Sequence, residues 1–422
     1  MSEAVSESNQ SGGYGLGRAS SALAIFAALL ASTTPSPLYP IYIREWGLEP
    51  SAGTTVFAVY AVGTLLTLGL SSWLGGKARD HRRLLLPGLL LTAAGALLFA
   101  FASELWMLLA GRFLSGVSTG LITSTASAAL FELERPERRG RAATLATVAF
   151  TAGAACGPVV SSAAIGLELR PLMTPFLFIT AVAACAFVGL VLSAWPKTQE
   201  RAVAGSRPRG AGEILDAGQR AWRFRLACLG ITVAWMLGSM LMAVGVSLAT
   251  ELYGLGSVAL AGLLPALFQL FAGVGQVAGG RARAVRAIWV GCTGLAVLQA
   301  FAMLGADRAW AMSFVAIMPL CGLAYGAAFV GAAALVNASA APGTHAKRIA
   351  QLYVVGYLAN AVPTWAMGKL VDGWGLEPAY HLFSVVTIGV GLTGTGVATA
   401  ILRGDAARAR RHAAAEPSYG CA

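Results

Sequence analysis

The sequence predicts an all-α polytopic membrane protein, with twelve transmembrane helices in two pseudo-symmetric six-helix bundles. Three observations carry that prediction. Apolar residues fill 57% of the 422 positions and charged ones 12%, with a mean hydropathy of +0.69, far from the averages of soluble domains. The apolar residues come in runs of roughly 20 to 25, the length that crosses a hydrocarbon core of about 30 Å, and they lack the period of an amphipathic surface helix. The basic residues alternate from loop to loop, which gives the chain a direction. Lipid leaves every backbone amide to be satisfied within its own segment, and these runs are far longer than barrel strands, so helices are the reading.

Taken in order, residues 1–18 form a polar, Gly/Ser-rich segment with Glu3 and Glu7 and no basic region ahead of a cleavage site. It is expected to be a short disordered tail and not a signal peptide. Breaks at charges, prolines and glycines place the first six spans near 19–43, 51–75, 84–102, 105–131, 142–165 and 172–195, a bundle over 19–195. A charged, Gly-rich linker follows over 196–221. The second bundle, 222–402, has spans near 222–251, 256–279, 287–305, 310–339, 349–370 and 379–402, and residues 403–422 make a second tail.

With both tails on one side, 25 of the 30 Lys and Arg residues fall in loops or tails on that side; Arg44, Arg170, Arg308 and Lys369 fall on the other and Arg112 within a span. The positive-inside rule then puts both termini in the cytoplasm of a cell-membrane protein. This scatter of arginines between spans also accounts for the net charge of +11 without a nucleic-acid partner. Five of the six cysteines, Cys156, Cys185, Cys228, Cys292 and Cys321, sit in apolar runs without paired spacing, and Cys421 lies in the tail; no metal site or disulfide framework is implied.

The two halves repeat. Gly75-Gly76-Lys77-Ala78-Arg79 returns as Gly279-Gly280-Arg281-Ala282-Arg283, each ending the second span of its half. Near the same offset Gly116 and Gly120 face Gly322 and Gly326, and Pro158 faces Pro363. Matched halves are the design of alternating-access carriers, with the substrate near mid-membrane between them. The pentapeptide Trp-Gly-Leu-Glu-Pro also occurs twice, from Trp46 and from Trp374, as interfacial anchors ahead of a glycine turn.

Three stretches resemble signatures of the major facilitator superfamily. Between spans two and three, Gly76, Asp80, Arg82 and Arg83 match its Gly-x-x-x-Asp loop, with His81 where a basic residue is usual and the later glycine missing. The run around Arg112 resembles its span-four signature, and Gly153, Gly157 and Pro158 its span-five antiporter signature, with Ser161 and Ser162 where a glycine pair is common. The resemblance implies that the loop of Asp80 latches the halves in the outward-open state, that Arg112 assists proton transfer or holds an anionic group, and that span five, tight and bent at the domain interface, belongs to exporters. The latch acid is one-sided, since Ala284 stands at the equivalent place in the second half.

Each residue also has a plainer reading. The Asp80 loop is equally a solvated loop obeying the charge rule. Arg112, seven residues and about 10 Å from the outer end of its span, either snorkels outward or walls a polar cavity with Ser115 and Thr119. Gly153, Gly157 and Pro158 let helices approach and bend whatever the function. Thr33-Thr34-Pro35-Ser36-Pro37 should loosen span one, freeing carbonyls for the cavity or for neighbouring helices. Tyr60, Trp235, Gln269, Tyr325, Asn337, Tyr357 and Asn360 are candidates for a bulky apolar ligand with a few hydrogen bonds; helix contact is the alternative for each.

The functional expectation is a monomeric secondary exporter of a small, mostly apolar compound such as a drug or natural product, with protons as the exchanged ion. A carrier of sugars or other polar metabolites, exporting or importing, is the alternative. A membrane-embedded enzyme lacks a cluster of His, Asp or Glu, no nucleotide motif appears, and no cofactor is expected. All 19 acids lie near span ends or in loops, so a titrating group for proton exchange has to be Asp80, Glu132 or Glu251, with Arg112 modulating it; uniport, or transport driven by substrate charge, is the alternative.

Overall fold

The computed structural model describes residues 2–74, 80–134, 138–195, 216–340 and 344–415. Among them thirteen α-helices follow one another: α1 (Ser2–Thr33), α2 (Tyr39–Trp46), α3 (Ser51–Leu74), α4 (Arg82–Ala100), α5 (Leu105–Leu133), α6 (Arg139–Gly166), α7 (Thr174–Leu192), α8 (Ala217–Ser247), α9 (Val258–Gly280), α10 (Ala284–Ala306), α11 (Ala311–Ser339), α12 (His345–Trp374) and α13 (Leu376–Ala415). α2 continues the path of α1 after a break, so these helices make the twelve expected crossings. Eleven crossings are long and apolar enough for a membrane on those grounds alone. The other, α12, has 30 residues but is more polar, and it packs between α3 and α8.

The break in the first crossing falls at the predicted prolines. Pro35 and Pro37 have no N–H to donate, and the chain passes through a short 3-10 turn, Ser36–Leu38, before α2 resumes. α2 ends on Gly47 at φ +60°, and α12 ends on Gly375 at φ +86°. Both copies of the Trp-Gly-Leu-Glu-Pro pentapeptide thus turn on a glycine in the left-handed region, where a Cβ is strained.

Helix ends differ from the sequence reading in three places. α1 begins at Ser2, so the stretch expected to be a disordered tail is helical from residue 2. α8 begins at Ala217, inside the expected linker, because Asp216 and Gln219 form a capping box: Asp216 Oδ1 accepts the Gln219 N–H at 2.7 Å and Gln219 Oε1 accepts the Asp216 N–H at 3.3 Å. Residues 196–215 lie outside the described residues. α13 runs to Ala415, well past the expected end of span twelve, and Asp405 ties it to α8 by accepting from Arg223 Nη2 at 3.0 Å.

Each half is locked by helices in van der Waals contact through glycine, and the lock is repeated. On α5, a Cβ added to Gly116 would lie 2.2 Å from the Tyr60 carbonyl oxygen of α3; on α11, one added to Gly322 would lie 2.4 Å from the Phe268 carbonyl oxygen of α9, and at Gly326 2.2 Å from that of Ala272. The spacing that marked the repeat in sequence is therefore the same helix crossing built twice. Gly326→Val should prevent a folded, monodisperse protein, its cost at or above the ~1–3 kcal/mol of ordinary overpacking. Gly396→Ala, where nothing lies within 4 Å of the added carbon, should leave the melting temperature unchanged or slightly raised; size-exclusion profile and thermal melt check both.

Candidate functional site

Twelve alternating crossings return both ends of the chain to one face of the bundle, here the terminal face. Between the halves lies a cavity to which both contribute: Phe57, Tyr60 and Arg112 from one side, Trp235, Gln269, Tyr325, Tyr357 and Asn360 from the other. Its volume of about 140 Å³ suits a compact ligand of one or two rings and is below the roughly 300 Å³ where drug-sized sites begin.

Arg112 is 1% exposed, which rules out snorkelling. Its Nη1 donates to the Ser32 carbonyl at 2.6 Å, an oxygen just ahead of the proline break. Its guanidinium carbon stands 4.7 Å from the ring centre of Tyr60 and 5.4 Å from that of Phe57, in cation–π geometry. Among the described residues no carboxylate pairs with it, and no acid lines the cavity. The residues expected beside it do something else. Thr119 Oγ1 donates to Ser115 O at 2.8 Å and reaches Ala28 O of α1 at 3.3 Å, and Ser115 is buried with its hydroxyl unpartnered. Neither lines the cavity: this face of α5 packs on α1.

On the other side the rings contact one another, mostly edge-on or tilted. Trp235 meets Tyr357 edge-on at 4.8 Å and Phe329 at 5.9 Å, while Tyr325 meets Phe268 at 5.2 Å. Gly238 on α8 leaves the room: an added Cβ there would come within 2.9 Å of the Tyr325 ring. Asn337 is corrected, being exposed near the terminal end of α11. Among the lining residues missed in the sequence are four with rings or amides, Phe57, Phe329, Phe268 and Gln276, and the further ring of Phe150. Helical spacing carried the signal for three of them, since Phe57 stands three residues from Tyr60, Phe329 four from Tyr325, and Gln276 two turns from Gln269.

Gly153 and Gly157 hold α6 against α1. A Cβ at Gly153 would meet Phe26 O at 2.5 Å, and one at Gly157 would meet Thr33 Oγ1 at 2.1 Å. They face into their own half, and the domain interface is the other side of α6: Ser162 and Thr151 sit against Gly262 and Gly273 of α9, where added carbons would come within 2.4 and 2.3 Å. Pro158 lies inside α6, and Ser161 Oγ donates to Thr34 O at 2.6 Å, satisfying a carbonyl at the break in α1.

The cross-half contacts concentrate toward the face away from the termini. There Asp372 Oδ1 of α12 accepts the backbone N–H of Ser51, the first residue of α3, at 2.8 Å, and Lys369 Nζ reaches Ser51 Oγ at 2.8 Å. A carboxylate from one half thus caps the positive end of a helix in the other. Beside it Gly368 sits against Thr54 so closely that an added Cβ would lie 1.8 Å from Oγ1. Among the described residues at the terminal face, Arg18 pairs with Glu134 at 2.9 Å and Arg223 with Asp405, and His81 Nε2 lies 3.0 Å from Glu132 Oε2, each contact within one half. Toward that face α6 exposes most of its residues from Arg141 to Phe150, whereas Ser161 and Ser162 are buried. Among the described residues the two halves meet at one face and stand apart at the other.

Asp80 belongs to the parted face. Arg82 answers it through its backbone N–H at 2.9 Å and through Nη2 at 3.1 Å, and Arg82 in turn reaches Ser193 O at 3.3 Å and lies over the Trp195 ring at 5.4 Å. Burial acts to raise the carboxyl's pKa, but the hydrogen bonds from Arg82 and the charges of Arg82 and Arg83 outweigh it, leaving the group below the usual carboxylate range. Arg83 is exposed; Gly76 lies outside the described residues. Among the described residues, the hydrogen bonds to Asp80 all come from Arg82, in its own half. Elsewhere, Asp307, Glu377 and His381 bring ligand atoms within 4.8 Å of one another, but both acids are exposed, His381 Nε2 already stands 2.9 Å from Asp307 Oδ1, and none of the three lines the cavity.

Residues 21–364 match the family model of the Major Facilitator Superfamily. The chain belongs to that superfamily. Its members are membrane-embedded transporters of small molecules rather than enzymes. The chain is 32% identical over 124 residues to multidrug resistance protein MdtH of Citrobacter koseri, 29% of this chain and 31% of that protein. It is 31% identical over 129 residues to the tetracycline resistance protein, class B, of Escherichia coli, with the same coverage of 29% and 31%. These matches span under a third of either relative. In fold it is similar to a POT family transporter in complex with 5-aminolevulinic acid, with a TM-score of 0.72 at 14% identity over 91% of this chain and 96% of that one. It is likewise similar to a bacterial homolog of the human lysosomal transporter Spinster, in an inward-facing and unoccupied conformation, with a TM-score of 0.71 at 14% identity over 92% and 96%.

If the Asp372 contact holds the closed face of this superfamily member, Asp372→Asn should shift the conformational balance toward opening there. Hydrogen bonds to a charged group are worth about 1.5–3 kcal/mol, and partial exposure lowers that to about 1 kcal/mol. The distance between spin labels at Ala52 and Gly373 should gain a longer component in the variant; an unchanged distribution would remove the clasp.

Proposed function

We propose that the protein is a secondary exporter that carries a small, largely apolar, ring-containing compound out of the cytoplasm by rocking its two halves about the central cavity. The observation that carries this reading is the cavity itself: aromatic on one side, one buried cation on the other, closed at one face by the Asp372 contact and parted at the face of the termini. The positive-inside rule makes that face cytoplasmic, so the conformation is the one that loads from the cytoplasm. The drug-resistance names of the partial relatives and the span-five glycines support export over uptake. Among the described residues Asp80 is bonded within its own half while the cytoplasmic face is parted; on this reading it engages the second half when that face closes and serves as the opposing latch.

Proton exchange needs a group that gains and loses a proton. Asp80 is held in its charged form by Arg82, Glu251 is exposed, and Glu132 is paired with His81 at 3.0 Å. The Glu132–His81 pair at the cytoplasmic face is the proton carrier this geometry favours. Cells lacking their own pumps, loaded with a panel of dyes and antibiotics, should extrude a subset when they express this protein, and a protonophore should stop it. Arg112→Ala should reduce extrusion to below about a tenth while the protein still reaches the membrane, because a site that loses its only charge loses its main polar anchor. Extrusion that ignores both the protonophore and the substitution would refute the reading.

A further inference from the structure

The cavity's unsatisfied polar atoms define the chemistry of what it holds. Arg112 Nε, Trp235 Nε1 and Asn360 Oδ1 are each shut away from solvent without a hydrogen-bond partner, and all three residues line the same space. Buried polar atoms are ordinarily paired, so a ligand that supplies the missing partners gains what the empty site lacks. Two of the three are obligate donors, an indole N–H and a guanidinium N–H, and the third is an amide acceptor. The charge balance points the same way. Among the described residues Arg112 is the only charged one lining the cavity, and its one hydrogen bond among them goes to a neutral carbonyl, that of Ser32. A cation entering would meet a buried positive charge with no acid to offset it, whereas an anion would complete an ion pair.

We propose, resting on the cavity being the substrate site, that this transporter's substrate class is the planar aromatic anion: a carboxylate or similar oxyanion set toward Arg112, a ring system between the tyrosines and Trp235, and a hydroxyl or N–H donor for Asn360. The lipophilic cations often included in drug panels are the class this site rejects.

The test is calorimetric titration of the full chain in lipid nanodiscs with three compounds that share one ring system: 6-hydroxy-2-naphthoate, its neutral carboxamide, and the corresponding naphthylmethylammonium. Wild type should bind the carboxylate at least about tenfold more tightly than the ammonium, with the amide between. Arg112→Gln should erase that order, and Arg112→Lys, which keeps the charge, should retain part of it. 2-Naphthoate, which lacks the hydroxyl, should bind wild type more weakly than its hydroxylated parent, and Asn360→Leu should make the two equal. An ammonium that binds as tightly as the carboxylate, an order that survives in a well-folded Arg112→Gln, or no binding by any of the four compounds would overturn the proposal. Where Arg112→Gln does not fold, the wild-type order and Arg112→Lys decide alone. Binding is read without a gradient or a direction. Anion preference without extrusion therefore refutes export and leaves the substrate class standing, and extrusion of cations without anion preference does the reverse.

Discussion

The N-terminal half is organised around a guanidinium, that of Arg112, that no carboxylate among the described residues answers. A buried arginine is costly in a membrane protein unless its donors and charge are met locally. Arg112 is met by the Ser32 carbonyl and by the faces of Tyr60 and Phe57, and that arrangement dictates the shape of the first crossing. Pro35 and Pro37 interrupt α1 just past Ser32, in the stretch that lies against α5 and α6. The carbonyls at the interruption then accept from outside the helix, Ser32 from Arg112 and Thr34 from Ser161. Gly153 and Gly157 follow from the same constraint, because α6 has to come within backbone contact of α1 for Ser161 to reach. Helix break, arginine and glycine pair are one structural unit.

The second half repeats the scaffold without that unit. The glycine crossings of α5 on α3 and α11 on α9 are equivalent, so each half is built as a rigid body by the same contact. The side chains turned to the cavity differ, however: charge and backbone acceptors on one side, a run of contacting rings with two glutamines and an asparagine on the other. Two rigid bodies joined by few polar contacts at one face can rock at modest cost, and what distinguishes the two end states is which face makes its contacts. Asp372 does so at one face in this conformation, with a helix N-terminus as its partner.

Much of this was legible in the sequence, for a physical reason. Crossing number follows from hydropathy, because the bilayer's thickness is imposed from outside, whereas helix ends beyond the apolar runs, as in α1, α8 and α13, do not. The break at Pro35, the repeated glycines and the depth of Arg112 follow from residue types with strong backbone or charge requirements. Azimuth was not legible. Lipid and neighbouring helices both accept apolar surface, so nothing in the pattern distinguishes a face turned to the cavity from one turned to α1. That is why Ser115 and Thr119 were placed on the wrong wall and Asn337 in the cavity, and why Phe57 and Phe329 were passed over. The Asp372 contact was hidden for a different reason: it joins positions 321 residues apart, and an acid near a span end looks like any other.

The absence of an acid from the cavity lining also constrains how energy is coupled. A carboxylate at the substrate site would let proton and substrate compete for one group, and coupling would be direct. Here, among the described residues, the lining offers only Arg112 as a charge, while Glu132 and His81 sit together at the terminal face, as does Asp80 in its clasp with Arg82. On the proposed exchange mechanism, protonation and substrate binding therefore communicate only through the balance between the two end states. Each must bind one state better than the other, and by linkage each then alters the other's affinity by the same factor. The proposed anionic substrate fits that scheme, since it would neutralise Arg112 in the cavity and so change the electrostatic cost of closing the halves around it without any contact to the pair proposed to carry the proton.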